Sequence, residues 1–255
     1  MPEKFLNVPT HDGHMDTFWA YPKGKGPFSP VILFMDIWGI REELKGIARR
    51  VAKKGYLAIL PNFYYREGNV SFEFYNENQR MISLHRLDPK RKARVDEQRW
   101  KLKNSMVKND IAALLKFVDS QKISAFGPVG SIGWCMGGWF ILSMAAAFPD
   151  RLQASASLHG TRLISEEKDS PHLLVKRLKG ELYCGWGALD HLSPPEMAKT
   201  FAELLKSCGV RYSFNLHPDV EHGYALPDRD VYSQQAAEAD WEEIFEMFNR
   251  KLKHH

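Results

Sequence analysis

The sequence predicts an α/β fold, a mostly parallel central sheet with helices on both faces. Three observations predict it. Short continuous apolar runs such as Val31-Ile32-Leu33-Phe34 recur along the chain, and such runs suit strands buried on both faces of a parallel sheet. Between them lie longer segments with helix-spaced apolar residues, as in Leu44, Ile47, Ala48 and Val51. Strand and helix signals alternate throughout, with no internal repeat, low-complexity tract or linker, so a single domain over residues 1–255 is expected.

The elements follow in order. Residues 4–21 alternate weakly around Thr10-His11-Asp12-Gly13, a hairpin turn signal, and predict two antiparallel edge strands. The Val31–Phe34 strand ends in the loop Met35-Asp36-Ile37-Trp38-Gly39. A helix from about Arg41 to Lys54 stops at Gly55, and Tyr56–Leu60 forms the next strand, closed by Pro61. Residues 62–95, with Tyr64, Tyr65, Arg66, Phe72, Phe74 and Tyr75, are the least regular stretch. A long excursion beyond a strand end usually covers a pocket; this one also fits a surface insertion with its aromatics packed down.

One helix is expected over about 97–119, with Val107, Ile111, Leu114, Leu115 and Val118 facing the core. Strands then end at Ile132, Leu158, Trp186 and Leu216. A helix begins near Pro194-Pro195, since proline is tolerated in a first turn, and runs to Cys208-Gly209. A closing helix carries Trp241, Ile244, Phe245, Phe248 and Leu252 on one stripe.

Composition narrows the function. Hydrophobic residues at 44% and charged residues at 26% are those of an ordinary soluble protein. No apolar run approaches the roughly 20 residues of a membrane span, so no membrane association is expected. The first residues lack the basic-then-apolar pattern of a signal peptide. Cys135, Cys184 and Cys208 have neither disulfide-framework nor zinc-site spacing, and a reducing cytoplasm is the expected setting. Net charge is +4, too mild to imply nucleic acid. The basic run from Arg80 to Lys108 reads as the solvated face of a helix, with a phosphate-binding surface as the alternative. Cys184 and Cys208 read as buried and inert. No metal or cofactor is expected, and the chain is expected to be a monomer or small homo-oligomer.

The chemistry centres on Gly133-Trp134-Cys135-Met136-Gly137-Gly138, between an apolar strand and the apolar run Trp139–Phe148. Strand, sharp turn and helix in that order have the form of the nucleophile turn of α/β-hydrolases, with cysteine where serine is usual. A residue at such a tip is strained, and glycine neighbours let strand and helix approach. Alone, the segment also fits a glycine-rich turn with a structural cysteine. Asp190 and His222 each follow a strand, however, and nucleophile, acid and histidine then occur in the chain order of that fold. Strand ends of a parallel sheet converge on one edge, where the three can meet.

The residue types define roles. His222 would take the thiol proton or stabilise the thiolate as imidazolium, and Asp190 would fix the imidazole tautomer. The oxyanion would be held by the backbone amides of Met136 and Ile37. Trp38, Tyr64 and Tyr224 suggest an aromatic-lined pocket.

These blocks bring a family into view. Asp36-Ile-Trp-Gly39, Gly55 to Pro61, Gly133 to Gly138, Gly187 to Pro194 and Glu221-His-Gly-Tyr-Ala225 resemble the dienelactone hydrolase family, over about residues 5–250. The resemblance implies a cofactor-free α/β-hydrolase acting on a small-molecule ester or lactone through Cys135, Asp190 and His222. A binding protein on a hydrolase scaffold is the competing reading. Two departures stand out. The family typically has glutamate at position 36, where the carboxylate holds the resting thiol; Asp36 is one methylene shorter. Family arginines that hold a substrate carboxylate fall near Leu226, with Arg229 the nearest candidate, and near residue 80, where Arg80 and Met81 align equally well.

Overall fold

The computed structural model describes residues 1–68 and 70–252. Of the single unit expected over 1–255, Asn69 and residues 253–255 lie outside the described residues. Among the described residues, eight strands form one sheet in the order β1-β2-β4-β3-β5-β6-β7-β8. The hairpin β1 (Glu3–Thr10) and β2 (Gly13–Ala20) is antiparallel and packs against β4 (Leu57–Pro61) along one edge. From β4 onward every pairing is parallel: β3 (Pro30–Phe34), β5 (Val129–Trp134), β6 (Leu152–Leu158), β7 (Glu181–Gly187) and β8 (Tyr212–His217).

The central strands explain the apolar runs that encode them. Every residue of β3, β4, β5 and β7 is buried, so no polar face was available for alternation to mark. On β5, Gly130 faces Phe248 and Leu252 of the last helix, whereas Gly133 faces the helix that follows Cys135. Layers on both sides thus enclose the strand. Burying one Val, Leu, Ile or Phe side chain contributes about 1.5–3 kcal/mol, and the sheet interior repeats that term along each strand.

Helix α1 (Glu42–Lys53) and the closing helix α6 (Gln234–Leu252) are tied by Arg50, which donates to both Glu238 oxygens at 2.6 Å and lies 4.6 Å from the Trp241 ring. Helix α4 (Met136–Ala147) lies against β5 and β6, and α5 (Pro195–Ser207) against β7 and β8.

The single helix expected over 97–119 is two: α2 (Pro89–Lys101) and α3 (Asn104–Asp119). Leu102 and Lys103 between them are extended. The two helices have different surroundings. Helix α2 buries only Val95 and Gln98, whereas α3 buries a full stripe from Val107 to Val118. Helix α2 starts inside the expected excursion, where Asp88 accepts from Arg91 N and Pro89 opens the first turn.

Candidate active site

The strand-to-helix turn holds Cys135 at φ 55°, ψ −115°. A non-glycine residue in such a conformation costs on the order of 1–3 kcal/mol and persists only where its surroundings over-determine it. They do so here. Cys135 N donates to Leu158 O (3.1 Å), and Cys135 O accepts from Gly138 N (3.1 Å) and Thr161 N (3.2 Å). Close backbone approach requires the glycines. A Cβ on Gly133 would lie 2.5 Å from Gly137 C, and one on Gly137 would lie 2.7 Å from Met35 O.

Asp190 and His222 stand on the loops after β7 and β8. Asp190 Oδ1 accepts from the amides of Leu192 (2.8 Å) and Ser193 (3.0 Å), and its Oδ2 lies 2.8 Å from His222 Nδ1. That contact orients the imidazole so that Nε2 is left for another partner. Among the described residues Nε2 has no aligned hydrogen bond, and Cys135 is its electrostatic partner. Burial alone would lower the proton affinity of His222. Cys135 and the Asp190 carboxylate outweigh it and raise the imidazole to about 10.

Met136 N and Ile37 N, the expected oxyanion donors, have no acceptor among the described residues. A cavity of about 250 Å³ opens beside Cys135 and His222, and Ile37, Trp38 and Arg229 line it. Arg229 is the unusual member. It is 4% exposed, its guanidinium makes no hydrogen bond among the described residues, and its nearest acid is Asp36 at 4.0 Å. The Trp38 ring, 5.0 Å from the guanidinium, covers one face of it.

Other expected residues lie elsewhere. Asp36 is fully buried, but its carboxylate engages Arg41 through both oxygens (2.8 and 3.0 Å) and Trp38 N (3.1 Å) instead of Cys135. Arg41 in turn bridges to Asp228. The shorter side chain and the arginine five residues on together account for this. Arg80 is exposed and donates to Pro227 O, because the buried neighbour Met81 takes the inward position. Tyr64 lies behind the cavity wall, its hydroxyl donating to Ile37 O at 3.1 Å. Tyr224 lies beneath the site and donates to Asp240 at 2.6 Å. Cys184 is buried and its thiol is pushed up to about 12 by burial, whereas Cys208 is only partly buried.

The cavity also holds residues that sequence reasoning missed: Ser83, His85, Lys92, Arg99 and His191. Lys92 and Arg99, seven apart on α2, belong to the basic run read as a solvated face. Placing the helix start at Asp88-Pro89 would have put both on one side. His159, at φ 39°, is fully buried, with its ring 4.9 Å from that of His222. Neither of its ring nitrogens has a partner among the described residues, and burial keeps it neutral.

Comparison with known proteins gives the family and the fold. The profile of the dienelactone hydrolase family matches residues 15–252. The chain belongs to the dienelactone hydrolase family. It is thus a hydrolase. Among curated relatives, a protein of Synechocystis named as a candidate carboxymethylenebutenolidase is 24% identical, covering 97% of this chain and 96% of its own. One of the same name from Escherichia coli K12 is 26% identical, covering 96% of this chain and 86% of its own. Among solved structures, a candidate dienelactone hydrolase from Klebsiella pneumoniae superposes with a TM-score of 0.83 at 22% identity, covering 98% of both chains. A dienelactone hydrolase-like promiscuous phosphotriesterase from metagenomic libraries gives 0.75 at 18% identity, covering 99% of this chain and all of its own. These two structures establish the likeness of fold, α/β-hydrolase. Among the described residues no helix is long and apolar enough to cross a membrane.

Proposed function

We propose that the protein hydrolyses a small carboxylate-bearing ester or lactone through a Cys135 acyl-enzyme. The observation that carries this reading is a strained Cys135 sharing one small cavity with His222, itself bonded to Asp190, and with an unbonded buried arginine.

The Cys135 thiolate attacks the carbonyl carbon, forming the C–S bond while the carbonyl electrons move to oxygen. The amides of Met136 and Ile37 hold that oxyanion. Collapse breaks the C–O bond, and the departing oxygen takes the proton from His222 Nε2. Asp190 keeps the imidazole aligned throughout. Water then attacks the thioester as His222 accepts its proton, and collapse expels the thiolate and frees the acid. In a lactone the leaving oxygen stays on the acyl chain as its hydroxyl, so ring opening releases no separate alcohol and the second step frees one hydroxy acid.

Arg229 supports the acidic substrate. A guanidinium removed from water without a hydrogen bond is costly, and a substrate carboxylate would supply the missing partner. The cavity volume suits a compound the size of a small lactone. The test is turnover of a small aryl ester and of a carboxylate-bearing lactone by wild type and Cys135→Ala. The variant should lose turnover of both while keeping its circular dichroism spectrum. Undiminished turnover would sink the proposal.

A further inference from the structure

Four charged side chains line the cavity that Cys135 and His222 share: Arg229 from the loop after β8, and Lys92, Asp96 and Arg99 from α2. The three on α2 are spaced by four and then three residues, which sets them in one row on one face of the helix. Beside that row α2 buries only Val95 and Gln98, so its inward face serves the cavity more than the core. Asp96 is the only acid lining the cavity among the described residues, and it is engaged by Arg99, whose Nη2 lies 3.1 Å from Asp96 Oδ1. Lys92, four residues before Asp96, has no ion pair among the described residues. Other cations of the same helix do have one: Arg91 with Asp88 at 3.2 Å, and Lys101 with Glu67 at 3.0 Å. Three cations thus face one carboxylate in the cavity, and the excess positive charge is divided between Arg229 and α2.

We propose that Lys92 and Arg99 form a second acid-binding subsite, so that the substrate is a dianionic ester or lactone with one carboxylate on Arg229 and another on α2. The proposal rests on the reading that Arg229 takes a carboxylate beside Cys135. A substrate with a single carboxylate satisfies Arg229 and leaves the α2 charge unanswered. In a confined cavity that charge attracts a second anion more strongly than it would in open water. Lys92 and Arg99 take no part in bond making; they select the substrate by its charge. Arg99 supplies a planar fork and Lys92 a point charge on a flexible stem, about 10 Å apart along the helix axis. Asp96 stands between them and tempers the subsite, which fixes the sign expected of each substitution.

Isothermal titration calorimetry with amide analogues tests this, because binding is then read without turnover. The probes are the N-methylamides of succinate, with one free carboxylate, and of tricarballylate, with two. Wild type should bind the dianion at least about tenfold more tightly than the monoanion. Lys92→Glu should weaken the dianion by about fivefold or more, because it exchanges an attraction for a repulsion. Asp96→Asn should tighten it by about two- to fivefold, since it removes the acid from the subsite. Opposite signs at two positions on one helix face are not the mark of a disturbed helix, which would weaken both. Lys90→Glu makes the same charge change on an exposed residue of α2 outside the cavity lining, and should alter dianion affinity by less than about twofold. A dianion that wild type binds no more tightly than the monoanion, or does not bind, overturns the proposal. So does a Lys92→Glu protein that loses no more dianion affinity than Lys90→Glu, or an Asp96→Asn protein that binds the dianion more weakly than wild type. Failure of the Arg229 reading registers separately, as monoanion affinity unchanged in Arg229→Met. Failure of the hydrolase reading registers as turnover retained by Cys135→Ala.

Discussion

Asp36 and Asp190 invite comparison. Both are buried carboxylates just beyond the C-terminal end of a parallel strand, and both accept backbone amides from residues two or three positions on. They differ in the cation each has taken. Asp190 holds a histidine, whose charge can come and go, while Asp36 holds an arginine, whose charge is permanent. The lesson is that a carboxylate at a catalytic edge is defined by its partner. Beside imidazole it directs a proton; beside guanidinium it is fixed as a counter-ion.

The comparison can be broken most sharply at Asp190. Asp190→Asn should reduce kcat by about 10²–10⁴, the range for loss of a positioned acid–base group, with little change in KM. Asp36→Asn combined with Arg41→Met should change kcat by less than about fivefold, as expected for a neutral pair exchanged for another. Equal losses in steady-state kinetics would erase the distinction drawn between the two acids.

Arg229 comes next in size. Hydrogen bonds to charged groups contribute about 1.5–3 kcal/mol, so Arg229→Met should lower kcat/KM for an anionic ester by roughly 10–150-fold. A neutral ester of the same shape should lose far less, and equal losses would remove the case for an acidic substrate.

The alkaline limb of the rate profile addresses the titratable partner. His222 is raised above its unfolded value, so its protonated form persists as pH rises and is lost through about pH 10. Cleavage that needs this acid should therefore hold until the profile approaches that value. A decline centred near about 6.5, the ordinary histidine value, would show that Asp190 and Cys135 do not sustain the imidazolium.

The smallest effect belongs to His159. A buried polar group without a partner costs about 1–3 kcal/mol, so His159→Phe should raise the melting temperature by a few degrees. Aromatic packing on His222 would be kept, and kcat should stay within about threefold. A large fall in kcat would assign the lone imidazole a share in the chemistry.

The fold was legible because double burial writes itself as uninterrupted apolar runs, and β3 and β4 carry such runs. The positions of Cys135, Asp190 and His222 beyond strand ends followed from the strand boundaries. The partner of Asp36 was not legible, since Arg41 stands at the extended N-cap of α1 and resembles any charged residue at a helix start. Asp228, which completes the cluster, lies 187 residues from Arg41 in the chain. The α2–α3 break was hidden for another reason. Leu102 is buried although its backbone is extended, so hydrophobicity runs on where the helix does not.

The segment that lines the cavity with Ser83 and His85 is tied to the loop after β8. Met81 N donates to Asp228 O (2.7 Å) and Asp230 N donates to Met81 O (3.1 Å), clasping Arg229 from both sides. Ser83 and Arg86 add contacts to Asp230, and Arg86 reaches Glu221, the residue before His222. Residues 81–86 and the loop bearing the histidine are thereby stitched together. A displacement of residues 81–86 would therefore act on Arg229 and on the residue before His222 together.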